Sequence, residues 1–275
     1  MTTLVTGAHG LVGSRVVARL KGERVIAVGR EELDLRQPER IAAFLADVRP
    51  DGIIHCGAMT DVDACEKDPE TAWAVNAAAV AALAKGRARL TALSTDYVFD
   101  GVKGDYSEED APNPQSAYAR SKLAGELAAL SLSRDRAVCR VALVYSGYPA
   151  AKRTFASAAL EALRKGEPVR AFADQIGSPT LADNAAEMVI AVHRSGEQGV
   201  FHCGGATQVS RVDFVRALAR KIGADERSIV PVPMADVALL APRPRRCGLR
   251  VEKVGRLAKP LELSAALDRF LEERG

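Results

Sequence analysis

Five short runs rich in β-branched and other apolar residues, at positions 2–5, 24–28, 52–56, 89–94 and 137–144, alternate with alanine- and leucine-rich stretches at 11–20, 38–47, 69–85 and 115–133. Two strands that follow one another in the same direction need a crossover between them, and a helix of about this length supplies it. The runs are apolar at successive positions, as at Ile53 and Ile54 or Ala92 and Leu93, which suits strands covered on both faces. The order therefore predicts an α/β fold with a doubly wound parallel sheet over residues 1–147. Past Tyr145 the regularity loosens: helices are expected at 155–165, 181–193 and 211–222, and Pro231, Pro233, Pro242 and Pro244 interrupt the rest. A smaller C-terminal lobe over 148–275 is expected, with residues 182–203 returning to the first domain. Ligands of open α/β sheets lie beyond the carboxyl ends of the strands, where such a lobe can close over them.

The balance of residue types narrows the partners. With 48% hydrophobic and 27% charged residues and a formal net charge of +3, a chain of 275 residues can bury a core and is not built to coat a polyanion, so no nucleic-acid partner is expected. No uncharged apolar run approaches the roughly 18 residues of a spanning helix, so no membrane partner is expected. Cys56, Cys65, Cys139, Cys203 and Cys247 are scattered without a CxxC, and the four histidines show no ligand spacing, so neither a disulfide framework nor a metal site is expected. Met1 leads straight into the first strand without a basic, apolar leader, which predicts a cytoplasmic protein. The preference for 28 Arg over 10 Lys carries no functional reading.

Between the first strand and the first helix lies Gly7-Ala8-His9-Gly10-Leu11-Val12-Gly13. In this context Gly7 can form the tight turn, Gly10 can admit a pyrophosphate, and Gly13 can let the helix approach the strand, while the helix N-terminus offers free N–H groups and partial positive charge. This predicts a Rossmann-like dinucleotide site. At the end of the second strand, Arg30 can pair with a ribose 2′-phosphate, whereas the following Glu31 and Glu32 oppose it. NADPH is the expected cofactor and NADH the alternative.

Tyr118 and Lys122 are spaced i, i+4 on a helical stretch and share a face. A tyrosine hydroxyl titrates near pH 10, and a neighbouring ammonium is expected to bring it toward the operating range. That pair suits carbonyl reduction, with Tyr118 as proton donor and Lys122 tuning it and holding the nicotinamide ribose. Thr95, at the carboxyl end of the 89–94 strand, can donate to the ketone oxygen. A second pair with this spacing, Tyr148 and Lys152, contains Pro149, which pushes Tyr148 away from helical geometry and argues against it.

The stretch STDYVFDG at 94–101, the YARSKLAGE stretch beginning at Tyr118, DQIGSPT at 174–180, AMTDVDACE at 58–66 and Asn76 in a VNA setting together resemble the extended short-chain dehydrogenase/reductases, and within them the dTDP-4-dehydrorhamnose reductase family. The resemblance covers most of the chain. It implies reduction of the 4-keto group of a nucleotide-linked deoxysugar, as in dTDP-rhamnose biosynthesis, with a nucleotide-sugar substrate and Thr95, Tyr118 and Lys122 as the catalytic set. For the cofactor it implies Gly10, Leu11 and Val12 at the pyrophosphate, Asp34 and Leu35 near adenine, and Gly57, Ala58 and Met59 along its length. For the substrate it implies Thr95, Asp96, Tyr97, Asp174 and Gln175, with Leu143 and Arg243 at two further family positions. The family's usual tryptophan beside the sugar is replaced by Leu143, its GNF-like stretch by residues 148–155, and its RPxNS stretch by Arg243-Pro244-Arg245-Arg246-Cys247. These arginines can hold a diphosphate or form a solvated basic loop.

Two other readings stay open at this point: a sugar-nucleotide epimerase or dehydratase of the same superfamily, and a non-catalytic NADP-binding regulatory subunit. Dehydration is disfavoured because Tyr97, and not a glutamate, follows Asp96. A homodimer through surface helices is compatible with the sequence.

Overall fold

The computed structural model describes residues 1–132, 135–148 and 153–274. Its strands in chain order are β1 (Thr2–Thr6), β2 (Arg24–Val28), β3 (Gly52–His55), β4 (Arg89–Thr95), β5 (Arg136–Val141), β6 (Val144–Tyr145), β7 (Val169–Phe172), β8 (Ile176–Gly177), β9 (Thr180–Leu181), β10 (Gly199–His202), β11 (Val209–Ser210), β12 (Ile229–Val232) and β13 (Arg246–Cys247). The α-helices are α1 (Leu11–Arg19), α2 (Pro38–Val48), α3 (Val62–Lys67), α4 (Pro69–Trp73), α5 (Ala79–Ala84), α6 (Ala117–Leu132), α7 (Phe155–Lys165), α8 (Ala182–Ser195), α9 (Arg211–Ile222), α10 (Glu252–Gly255) and α11 (Leu263–Glu272).

Six strands form the central sheet in the order β10-β5-β4-β3-β1-β2, all parallel. The order reverses direction at β1, which has β2 on one side and β3 on the other, so a crevice opens there at the carboxyl edge. Successive strand residues point to opposite faces, and both faces are buried. Leu4, Ile53, Leu90 and Val138 pack against the side that holds Ile41 of α2 and Val80 and Leu83 of α5. Val5, Ile54, Ala137 and Cys139 pack against Val12 and Val16 of α1 and Met188, Val189 and Val192 of α8. This is the doubly covered α/β sheet that the apolar, non-alternating strands predict.

Two expected elements are interrupted. The run 137–144 does not continue as one strand: β5 ends at Val141, Leu143 takes a left-handed φ of 45°, and β6 leaves the sheet to pair with β9. The Leu143 carbonyl accepts the Thr180 N–H at 3.3 Å, so the turn is held by a partner the local sequence does not show. The run 69–85 is likewise broken, by a π-helical turn at Ala74–Ala78 between α4 and α5. There the Asn76 carbonyl presses onto α6 at Gly125, where a Cβ would collide with it. The Asn76 side chain brackets Met59, accepting its N–H at 2.9 Å and donating to its carbonyl at 3.0 Å. Widened turns of this kind recur beside functional sites.

The rest of the chain builds a second core from Leu160, Leu163, Phe214, Leu218, Leu267 and Phe270 of α7, α9 and α11, over the β7–β12 pair. A three-stranded patch, β11-β8-β13, borders it. Residues 182–202 supply α8 and the edge strand β10 to the main sheet. Among the described residues no helix is long and apolar enough to cross a membrane.

Candidate active site

The turn after β1 is shaped by what will not fit. Gly7 has φ 65°, and a Cβ there would lie 2.5 Å from the Gly57 amide nitrogen. A Cβ at Gly13 would strike the Gly7 carbonyl. These two glycines let α1 start directly against β1 and β3. At the N-cap, Gly10 supplies no side-chain acceptor, and the first turn of α1 has no acidic residue, so its N–H groups and partial positive charge stay available. Gly10, Leu11 and Val12 face a cavity of about 470 Å³ that continues along Ala58 to the carboxyl end of β4.

At that end stand Thr95, the last residue of β4, and Tyr118 and Lys122, one turn apart on α6. Thr95 and Tyr118 line the same cavity. The Thr95 hydroxyl donates to Asp96 Oδ1 at 3.1 Å and accepts the Tyr97 N–H at 3.2 Å. Tyr97 and Tyr118 meet edge to face with ring centroids 6.1 Å apart.

The charge logic differs from the sequence expectation in one respect. Lys122 does not bring Tyr118 down: its ammonium donates to the Leu93 carbonyl at 2.7 Å, and burial pushes the Tyr118 hydroxyl above its ordinary value. Burial also lowers Lys122 to about 8, against the pull of Glu126. With charge expensive in this interior, the phenol keeps its proton, the form that a donor to a ketone needs.

The remaining candidates divide. Asp96, Tyr97 and Leu143 line the cavity with Thr95, Tyr118 and Lys122. Gln175 stands behind Tyr97, donating to its hydroxyl at 3.2 Å and accepting from Arg211 Nε at 3.0 Å. Gly57 and Leu35 pack together: a Cβ on Gly57 would lie 2.5 Å from Leu35 Cδ1. Met59 is held by Asn76, as described. Arg30 is exposed at the end of β2. Glu32, expected to oppose it, accepts the Gly29 N–H at 2.7 Å, which lowers its carboxyl's pKa. Asp34 is bound to Arg36, which holds its carboxyl down at about 2. Asp174 accepts the Met234 N–H at 2.9 Å and fixes a turn. Arg243 makes a two-pronged pair with Asp63, at 2.9 and 2.8 Å, and so joins the C-terminal loop to α3. Arg245 is exposed and lies 3.7 Å from Asp174. Lys152 lies outside the described residues, as does the expected end of the 115–133 helix.

Arg211 is the residue that sequence reasoning missed. It lines both the main cavity and a second one of about 540 Å³ bordered by Phe172 and Asp236, and its guanidinium lies 5.0 Å from the Phe155 ring centroid. In the sequence it is the first polar residue of an amphipathic helix, which reads as solvated. A second missed feature is Ser94 Oγ, buried beside the cavity with no hydrogen-bond partner among the described residues.

Residues 1–274 match the model of the RmlD substrate binding domain. The chain belongs to that family. A dTDP-4-keto-6-deoxy-D-glucose reductase of Streptomyces niveus is 38% identical, with 88% of this chain and 86% of the relative covered. A dTDP-4-dehydrorhamnose reductase of Mycobacterium tuberculosis is 37% identical, with 87% and 82% covered. The crystal structure of dTDP-4-dehydrorhamnose reductase from Bacillus anthracis in complex with NADP superposes with a TM-score of 0.92 at 25% identity over 99% of each chain. By family this RmlD-type chain is an oxidoreductase.

Proposed function

We propose that the protein reduces the 4-keto group of a nucleotide-linked 6-deoxysugar, dTDP-4-dehydrorhamnose or a close analogue, with NADPH. The observation that carries this reading is one cavity receiving both the open N-terminus of α1 and the Thr95, Tyr118 and Lys122 side chains. The names of the relatives support the substrate class, and the NADP complex of a structural neighbour supports the cofactor.

The residues present fit such a cofactor. The glycine turn leaves room for a pyrophosphate against the unpaired N–H groups of α1, Ser94 Oγ offers an unused polar atom deeper in the cavity, and Arg30 would pair with a 2′-phosphate while Glu32 is turned back onto Gly29. NADH would lack that phosphate contact. When bound, NADPH supplies the hydride. Tyr118 gives its proton to the carbonyl oxygen as charge develops there, and Thr95 donates a second hydrogen bond to the same oxygen. Lys122, steadied by Leu93, would hold the ribose hydroxyls. Tyr97 and Gln175 would border the sugar, with Arg211 behind them.

The test is NADPH oxidation with dTDP-4-dehydrorhamnose. Tyr118→Phe should lower kcat by about 10²–10⁴-fold, the usual contribution of a positioned acid, while NADPH binding followed by fluorescence stays within a few-fold. Unchanged turnover in this variant would remove Tyr118 as the donor.

A further inference from the structure

The Thr95 hydroxyl has one proton to give and two lone pairs to offer. One lone pair takes the Tyr97 N–H at 3.2 Å. Asp96 Oδ1 lies 3.1 Å away, and Thr95 lines the cavity together with Tyr118. An ionised carboxylate can only accept, so it claims the single Thr95 proton. Thr95 then has nothing to donate to a ketone. A protonated Asp96 reverses this: the carboxyl donates to Thr95, and the Thr95 proton turns to the cavity.

We propose that Asp96 is a positioning residue of the reduction, its protonated form aiming the Thr95 hydroxyl at the substrate carbonyl and its ionised form turning it away. This rests on the reductase reading above. In the step itself the Tyr118 O–H bond breaks as the substrate O–H bond forms; Asp96 exchanges no proton with the substrate and acts only through Thr95.

The surroundings of Asp96 keep both states within reach. It is only 6% exposed, and burial pushes its carboxyl up to about 7, against the Thr95 hydrogen bond and the charge of Arg211. The groups facing it are Arg211 from α9, Tyr118 from α6, Cys247 from β13 and Tyr97 beside it in the chain. Arg211 favours the ionised form and the apolar walls favour the neutral one, so removing Arg211 must move the balance toward the protonated, productive state.

The experiment is the pH profile of kcat with NADPH and a saturating keto sugar nucleotide, joined to infrared titration of the cofactor-free chain. In the wild type, kcat should fall about tenfold per pH unit above the Asp96 value, and a protonated-carboxyl C=O band should disappear over the same range. Asp96→Asn, which keeps the shape and cannot ionise, should lose both the limb and the band, and Arg211→Gln should move the limb to higher pH. A merely structural Asp96 would lower kcat in Asp96→Asn and leave the limb in place, which overturns the proposal. Absence of the titrating band in the wild type also overturns it. If the band titrates as expected and Asp96→Asn removes it, yet the wild type turns over no keto sugar nucleotide, it is the reductase reading that fails, and the role of Asp96 in reduction falls with it.

Discussion

At Gly13 the space available is smaller than a methyl group, because the Gly7 carbonyl occupies the place a Cβ would take. Gly13→Ala must push α1 away from the turn, and α1 is the helix whose N-terminus faces the cavity. Overpacking of this kind costs about 1–3 kcal/mol, so chemical denaturation should show that loss and NADPH titration should show at least about a tenfold weaker complex. A stable variant with normal affinity would mean that the turn is not the pyrophosphate site. Gly7, Gly13, Thr95, Tyr118 and Lys122 were legible in the sequence because their chemistry is local: a turn between two readable elements, a strand end, two residues on one helix face. Arg211 was not, nor were the partners of Asp34, Asp174 and Arg243, because a sequence shows a charge and not its partner. Arg211 acquires a place only when Gln175 and Tyr97 arrive from distant elements, and Arg243 is drawn off by Asp63.

The helix that carries Tyr118 and Lys122 is fastened to the sheet by a buried ion pair. Glu126 of α6 and Arg140 of β5 are each about 3% exposed and meet at 2.7 Å. Arg140 also neighbours His202, whose ring burial, aided by that guanidinium, holds down at about 3 and so keeps neutral. Glu126→Ala leaves Arg140 buried beside a neutral ring, and such a broken pair costs about 3–5 kcal/mol. The urea midpoint should fall accordingly. Replacing both residues with Met should recover much of the loss, because no buried charge is then left alone; recovery no better than the single variant would mean that the charges themselves are needed. The strands β1 to β5 and the longer helices were readable from the alternation of apolar, β-branched runs with alanine- and leucine-rich stretches. The π turn at Asn76 and the break at Leu143 were not, since each is stabilised by a long-range contact, with Met59 and Gly125 in one case and with Thr180 in the other. Both breaks border the cavity region, where local preference yields to the geometry of the site.

Asp183 is one of the links between the two cores. It sits on α8 in the main sheet layer, its side chain 10% exposed, and receives Arg15 at 3.3 Å and Arg19 from α1, and Arg269 at 2.9 Å from α11 of the second core. Burial alone would raise its carboxyl, but Arg19 and then Arg15 outweigh it, and the group is held below the usual carboxylate value. A carboxyl whose folded value is depressed gives its stabilisation in full above its unfolded value, near 3.9, and loses it as the pH falls through the folded value. Thermal unfolding followed from pH 6 to pH 2.5 should therefore show a drop in Tm on acidification to which Asp183 contributes. Asp183→Asn should be less stable at pH 6 by about 1–3 kcal/mol, the range between a broken buried pair and an exposed one. The gap between variant and wild type should then close as the pH falls through the folded value, below which both carry a neutral side chain facing three arginines. A gap that persisted at low pH would assign the effect to packing of the residue and not to its charge, and Asp183 would not link the two cores through that charge.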